Sequence, residues 1–196
     1  MRSSPLALTV LALLHYKPLH VYGLQQLVKR WGKDQVVNVS QRVSLHRTID
    51  RLLTDGLIEV QATTRDSAYP ERTVYRLTAA GRDAARAWLT RMLAEPKREF
   101  PDFPAAVSNL AMIAPAEARA ALQQRVDELT AYRDGLRDDL DAQAGELPRV
   151  ASLETEYLLA VANAELQWVS SVVEDLGSGR LGWDAEELAA FDTTHP

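Results

Sequence analysis

The chain has 196 residues, of which 46% are hydrophobic and 25% charged, a composition typical of a globular protein with its own core. It contains no cysteine, which excludes disulfides, cysteine-ligated metals and a cysteine nucleophile, and which suits a reducing cytoplasm. The apolar run at residues 5–14 is too short to span a bilayer, and no small-residue cleavage site follows it. We therefore expect a cytoplasmic protein without membrane contact.

The net charge of −5 is the sum of two halves of opposite sign. Residues 1–99 carry 16 Lys and Arg against 9 Asp and Glu, a net charge of +7. Residues 100–196 carry 6 against 18, a net charge of −12. Such asymmetry is expected when only one end of a protein meets nucleic-acid phosphates. Two differently solvated domains would show the same asymmetry, so charge alone does not decide between these interpretations.

Hydrophobic periodicity predicts three short helices in the first third of the chain. Ser4 and Pro5 begin a helix that is apolar nearly all round. A second helix follows at residues 21–31, with Gly32 at its end. A third helix follows Ser40, presents an apolar stripe and ends at Gly56. The apolar stripe of this third helix consists of Leu45, Ile49, Leu52 and Leu53.

The period then changes to that of a β-hairpin. Residues 57–63 and 72–77 are expected to form two strands, joined by a polar loop that contains Arg65, Asp66, Ser67 and Pro70. Thr78 is a good N-cap for a fourth helix at residues 79–94. Three helices, a hairpin and a helix are the order of a winged helix-turn-helix domain. The expected fold class is mostly α with a small β-hairpin wing, followed by a helical dimerisation domain.

The second half is predicted to be helical throughout. A kinked connector at residues 97–104 precedes a short helix at 105–113 and long amphipathic helices at 115–144 and 153–176. Such a pair most often packs against a second copy of itself, and an intramolecular bundle with the winged helix is the alternative. The expected domains are residues 1–96 for DNA binding, 97–183 for dimerisation and effector binding, and 184–196 as a tail. The residues expected at the dimer interface are Leu122, Val126, Leu129, Leu158, Val161 and Val169.

Three segments carry a family resemblance: LHVYGL at residues 19–24, SLHRTIDRLLTDGLI at 44–58 and PERTVYRLTAAG at 70–81. In this order they resemble the PadR family of transcriptional regulators. That family has a P-x-H-G-Y-like second helix, an L-Y-x-x-L-x-x-L-x-x-x-G-L-I recognition helix and an R-x-Y-x-L-T-x-x-G wing exit. The resemblance covers about residues 5–95, and the acidic helical half resembles the longer-tailed branch. Here His46 replaces the family's usual tyrosine, and residues 21–23 rearrange its glycine–tyrosine order.

The apolar stripe of the third helix fixes which of its residues face outward. Val43, Ser44 and Arg47 are placed to meet base edges in a major groove, and Arg47 suits a bidentate contact with guanine. Arg42, Thr48 and Arg51 are better placed to hold phosphates. The full predicted DNA-binding set is Gln41, Arg42, Val43, Ser44, His46, Arg47, Thr48, Arg51, Arg65, Tyr69 and Arg72. The alternative is a solvated face on which Arg47 and Arg51 pair with Asp50 and Asp55. His46 lies close to the stripe, which favours a packed, hydrogen-bonded side chain over a base contact.

The sequence contains no pattern typical of an enzyme. Its four histidines are scattered, and it has no metal-ligand spacing, no Gly-x-Ser-x-Gly elbow and no phosphate-binding glycine loop. The carboxylates at residues 134–141 lack the glycine and the spacing of a calcium loop. We expect neither catalysis nor a metal or other cofactor.

The resemblance implies a repressor whose DNA complex responds to a small aromatic effector. The aromatic residues best placed for such a pocket are Trp88, Phe100, Phe103, Tyr157 and Trp168. Together with the residue pattern, this predicts a homodimer that binds an inverted repeat in double-stranded DNA, one half-site per subunit. Two alternatives remain: a regulator of the related MarR type, and a protein-interaction module that uses its winged helix to dock a protein.

Overall fold

The structure is a computed structural model that describes residues 3–37, 42–66 and 69–184. The chain divides into two compact units, Met1–Glu99 and Phe100–Pro196. Within the described ranges, no helix has both the length and the apolar character needed to cross a membrane. The fold is mostly helical, with one small antiparallel sheet in the first unit.

The described part of the first unit contains a 3-10 turn (Lys33–Gln35) and four α-helices: α1 (Pro5–Tyr16), α2 (Val21–Arg30), α3 (Arg42–Thr54) and α4 (Ala79–Ala94). Local residues set their ends, as the sequence predicts. The Ser4 hydroxyl accepts the Ala7 N–H at 3.2 Å, and Pro5 occupies the first helical position. Gly32 and Gly56 adopt φ values of +64° and +68°, the left-handed conformation that closes a helix without steric cost.

The sheet has the strand order β1-β3-β2, with β1 at Leu19–His20, β2 at Ile58–Asp66 and β3 at Tyr69–Leu77. The sequence did not predict β1, which is too short for a period to show. The hairpin strands extend further than predicted, so Arg65, Asp66 and Pro70 lie in strands rather than in a loop. The two strands stay paired through two register shifts. Antiparallel strands can remain hydrogen-bonded where a face is exposed to water, so the pairing extends beyond the apolar residues.

Fourteen buried apolar residues from all four helices and the sheet form the core of the first unit. The helix α1 supplies five of them because it is apolar on every side. The apolar stripe of α3 enters the same core through Leu45, Ile49 and Leu52. The position of α3 is therefore fixed by its inner face, and its outer face is left to solvent.

The second unit consists of α5 (Asp102–Ser108), a 3-10 turn (Leu110–Met112), α6 (Pro115–Gln143), a second 3-10 turn (Arg149–Ala151) and α7 (Leu153–Ser178). The helix α5 begins earlier than predicted, inside the supposed connector. Pro104 does not prevent this, because the N–H groups of a first helical turn have no intrahelical partner. The helices α6 and α7 pack along each other around Leu122, Val169 and Val173.

Candidate nucleic-acid interface

The outer face of α3 carries the polar side chains that the sequence assigns to DNA contact. Leu45, Ile49 and Leu52 are at most 1% exposed, and they hold the helix by its opposite side. The exposed residues described on α3 are His46, Arg47, Asp50, Arg51 and Thr54. Ser44 and Thr48 are half-buried at the edge of this face. A helix held in this way presents a constant set of hydrogen-bonding groups to a groove.

Arg47 is exposed and makes no ion pair or hydrogen bond with any part of the chain that the structure describes. Asp50 and Asp55, the partners named in the solvated-face alternative, are therefore not used by Arg47. Arg76 on β3 differs, because its guanidinium lies 2.8 Å from Glu59. The guanidinium of Arg47 thus keeps all its donors available for an acceptor outside the chain. Arg51 is exposed as well, and it has an interaction within the chain.

Thr48 has already used its donor. Its hydroxyl donates to the Ser44 carbonyl at 2.8 Å, one turn back along the helix. A threonine hydroxyl has a single hydrogen, so Thr48 offers an outside partner only its lone pairs. A phosphate oxygen requires a donor, and the predicted phosphate contact of Thr48 would need this bond to break.

His46 is exposed, so the prediction of a packed, hydrogen-bonded histidine is wrong. Leu45 and Ile49 already fill the inner side of this part of the helix, both at 1% exposure. The position after Leu45 turns about 100° away from that side. His46 thus stands on the solvent side, where its ring nitrogens are accessible.

Tyr75 links the sheet to the electrostatics of α3. The phenol is half-buried on β3 against the core. Its pKa is raised first by burial and then by the carboxylate of Asp50, while a hydrogen bond with Thr73 lowers it. The tyrosine therefore stays neutral beside α3, and Asp50 is the charged group that raises its pKa. No sequence pattern indicates this electrostatic interaction between residues 25 positions apart.

The C-terminal end of α3 is tied to the start of α4. The Thr78 hydroxyl accepts the Gly81 N–H at 2.9 Å, and it lies within 2.8 Å of the Gly56 carbonyl and 3.0 Å of the Leu57 carbonyl. A Cβ atom at Gly81 would lie 2.0 Å from the Leu57 oxygen. The L-T-x-x-G pattern thus joins the end of α3 to the start of α4. Gly81 is required because the Leu57 carbonyl occupies the space that a side chain would need.

Several predicted contacts lie where the structure describes less. Gln41 is outside the described residues. Five other residues of the predicted set lie in α3 or the hairpin strands, but their side chains are outside what the structure describes. They are Arg42, Val43, Arg65, Tyr69 and Arg72.

The predicted dimer residues divide into two groups. Leu122 and Val169 are 5% and 0% exposed, and together with Val126 and Leu129 they form the apolar cluster between α6 and α7 of one chain. The burial of these residues therefore needs no second subunit. Leu158 is half-buried, and Val161 is 44% exposed.

A different apolar surface of α7 remains uncovered within the unit, and we call it the α7 stripe. Its residues recur at helical spacing on a single side of α7, away from the α6 contact. They are Leu153, Tyr157, Val161, Ala164 and Trp168, all exposed. Val161 belongs to this stripe, whereas Val169 lies in the α6 contact, so the predicted interface residues of α7 divide between two sides of the helix.

The predicted effector residues belong to both units of the chain. Trp88 is buried in the core of the first unit, and Phe100 is 85% exposed. Within the second unit, Phe103 and Trp168 make an edge-to-face contact with ring centres 6.1 Å apart. The Arg125 guanidinium lies 3.6 Å from the centre of the Phe103 ring and is hydrogen-bonded through Nε to Glu165 at 2.7 Å. Tyr157 belongs to the α7 stripe.

Comparison with known proteins matches residues 10–87 to the Transcriptional regulator PadR-like family. Among solved structures, Bacillus subtilis PadR in complex with operator DNA is similar, with 18% identity and a TM-score of 0.68 over 88% of this chain and 99% of that one. The same protein with p-coumaric acid gives 17% identity and a TM-score of 0.70 over 89% and 99%. The virulence activator AphA of Vibrio cholerae gives 20% and 0.68 over 88% and 98%. No curated protein sequence matches the chain.

Proposed function

Residues 10–87 belong to the PadR-like family of transcriptional regulators, and from this premise we propose that the chain is a homodimeric repressor that binds an inverted-repeat operator. The family consists of regulators rather than enzymes, and the fold is that of its winged-helix members. The observation that carries the proposal is the outer face of α3. It presents an exposed Arg47 without a partner in the described chain, within a half that carries a net charge of +7.

The side chains of α3 are proposed to make two kinds of DNA contact, one with base edges and one with phosphates. Arg47 meets a base edge, where a guanidinium matches the two acceptors of guanine, and Ser44 lies one turn before it on the same side. Arg51, one turn after Arg47, holds a phosphate. Arg65 and Arg72 on the hairpin add further phosphate contacts. Each such contact releases counterions, so the affinity falls steeply as salt is added.

Dimerisation is proposed to occur through the α7 stripe. Four large apolar side chains of the stripe are 44–68% exposed on one helix side, which is costly for a surface that stays in water. A second α7 offers the same pattern, so a two-fold axis through the stripe would cover both copies. The two copies of α3 would then read half-sites about one helical turn apart.

The proposed effector is a small aromatic molecule that lowers operator affinity. Support comes from the B. subtilis PadR complex with p-coumaric acid and from the contact of Phe103 with the half-exposed Trp168. A planar ligand on the exposed part of Trp168, the last residue of the α7 stripe, would gain stacking area there. Binding there would alter the spacing of the two winged helices.

The test is selection of random duplex DNA on the purified chain, with the mass of the complex measured by size exclusion and light scattering. A palindromic motif bound by two chains is the expected result, and p-coumaric acid should then reduce binding to it. No enrichment from a folded dimer would reject DNA binding and favour the protein-docking alternative. Enrichment of a motif without two-fold symmetry would reject the inverted repeat.

Two substitutions distinguish the proposed base contact of Arg47 from the proposed phosphate contact of Arg51. Arg47→Ala should relax the preference at one base position and cost about 1–3 kcal/mol on the selected site. Arg51→Ala should weaken all sequences alike and reduce the salt slope by about one. Arg86→Ala on α4, also exposed, is the matched control. If Arg47→Ala weakened specific and nonspecific DNA equally, Arg47 would be a phosphate contact.

A further inference from the structure

A groove between the start of α6 and the end of α7 has features of a ligand site that the predicted effector residues do not line. Its volume is about 390 Å³, within the range of small-molecule sites. Its apolar lining residues are Val126, which is half-buried, and Val173, which is buried, and the exposed Arg119 lines it as well. None of Trp88, Phe100, Phe103, Tyr157 or Trp168 lines it.

Arg119 stands apart from the other arginines of the second unit. Arg125, Arg133, Arg137, Arg149 and Arg180 each lie within 4.0 Å of a carboxylate oxygen. Arg119 makes no ion pair or hydrogen bond within the ranges that the structure describes. Residues 100–196 carry 18 carboxylates, so partners for Arg119 were abundant in this part of the chain. A guanidinium left unpaired in such surroundings remains available to an anion from outside.

The Arg119 guanidinium lies close to the backbone of Gly177. A Cβ atom at Gly177 would lie 3.0 Å from Arg119 Nε and 3.3 Å from both Cζ and Nη2. Glycine inside a helix is less favourable than alanine, so its presence in the last turns of α7 calls for a local reason. The close approach of Arg119 supplies that reason. The glycine lets the flat guanidinium lie against the backbone, with its donors at the groove.

The remaining polar groups of the groove suit the same ligand. Glu174 is on the rim, but Arg180 lies 3.1 Å from it and offsets its charge. Gln123 donates one amide hydrogen to Asp127 at 3.1 Å and keeps the second. Ser170 adds a hydroxyl that makes no bond within the described chain. Arg119, Gln123 and Ser170 thus place hydrogen-bond donors along a groove whose apolar lining is Val126 and Val173.

We propose that this groove binds a small organic anion, with its carboxylate or phosphate on Arg119 and its short apolar part on Val126 and Val173. Guanidinium groups bind both acids with paired hydrogen bonds, so the site chemistry is common to the two. The inference does not depend on DNA binding, because the groove lies wholly within the second unit. It therefore stands or falls separately from the proposed repressor function.

The experiment is ligand-observed saturation-transfer NMR on the full chain, with hexanoate, hexyl phosphate and hexylammonium as probes. At least one anion should bind in competition titrations, and hexylammonium should bind at least about tenfold more weakly. The better anion identifies which acid the site prefers. The proposal is rejected if neither anion binds or if hexylammonium binds as tightly as they do.

Variants locate the site. Arg119→Gln should weaken the better anion about tenfold or more, whereas Arg137→Gln, which alters an exposed arginine outside the groove, should leave its affinity unchanged. Gly177→Ala requires the Arg119 guanidinium to shift slightly, so it should weaken the anion less than Arg119→Gln does, and alanine favours the helix, so unfolding would not be the cause. Equal affinity of wild type and Arg119→Gln would overturn the proposal. So would dissociation of the dimer by Arg119→Gln without loss of anion binding, which would place Arg119 at a subunit contact.

Discussion

The two units of the chain use their apolar side chains differently. In the first unit, fourteen buried apolar residues form one cluster that draws on four helices and a sheet. In the second, the cluster between α6 and α7 has three buried members, and the α7 stripe stays exposed. The first unit therefore completes its own core. The second gains most from a further partner, since two packed helices bury too little surface for a stable domain.

Arginines show the same contrast. In the second unit, five of the six arginines lie beside carboxylates of their own unit. In the first unit, Arg47 on the outer face of α3 makes no such contact within the described residues. Cations that are neutralised locally add little attraction for an anion at a distance, whereas a free cation does. Arg47 is thus available to an anion from outside, whereas five of the six arginines of the second unit are already paired.

The strongest test of the first unit is Gly81→Ala. A Cβ atom there would lie 2.0 Å from the Leu57 carbonyl oxygen, a backbone atom that cannot move without shifting the start of β2. We expect the free energy of unfolding to fall by about 3 kcal/mol or more, measured by urea denaturation.

Gly135→Ala in the middle of α6 is the matched control. A Cβ atom at Gly135 would meet nothing within 4 Å, so alanine should stabilise the helix by roughly 0.5–1 kcal/mol. Similar effects of the two substitutions would mean that the first unit is not more tightly constrained at these sites than the second.

The proposed dimer through the α7 stripe predicts that Tyr157→Glu separates the subunits. Tyr157 is 68% exposed in the single chain, so a charge there costs the monomer little but would be buried in a dimer. The dimer dissociation constant should rise at least about 30-fold, as judged by sedimentation equilibrium.

Asn163→Glu adds the same charge to an exposed position of α7 that lies off the stripe, and it should leave the dissociation constant unchanged. If Asn163→Glu separated the subunits and Tyr157→Glu did not, the dimer would use another side of α7. Unchanged dimers in both variants would place the interface outside this helix.

Features set by neighbours in the sequence could be predicted well. The caps at Ser4 and Thr78 and the left-handed glycines 32 and 56 follow from residues within a few positions of each other. The exposed position of Arg47 follows from the period of α3 in the same way.

Features set by distant neighbours could not be predicted. The raised pKa of Tyr75 depends on burial and on Asp50, which only the folded chain brings near. The strand β1 exists because β3 pairs with it. The groove at Arg119 requires the ends of α6 and α7 to meet. Each depends on tertiary contacts, which the hydrophobic period of the sequence does not indicate.

The smallest expected effect concerns an exposed ion pair of the second unit. Arg149 Nη2 lies 2.8 Å from Glu156, and this hydrogen bond lowers the pKa of the Glu156 carboxyl below its ordinary value of 4.5. A lowered pKa means that the pair stabilises the fold above pH 4.5 and loses this contribution as the pH falls through the folded-state value. Arg149→Gln should return the Glu156 midpoint toward 4.5, as followed by carboxyl ¹³C shifts, while Arg137→Gln should not change it. Both groups are exposed, so the effect on unfolding should be close to zero. If Arg149→Gln left the Glu156 midpoint unchanged, the carboxylates of this unit would not be neutralised by individual arginine partners. The contrast with the unpaired Arg47 of α3 would then be weaker.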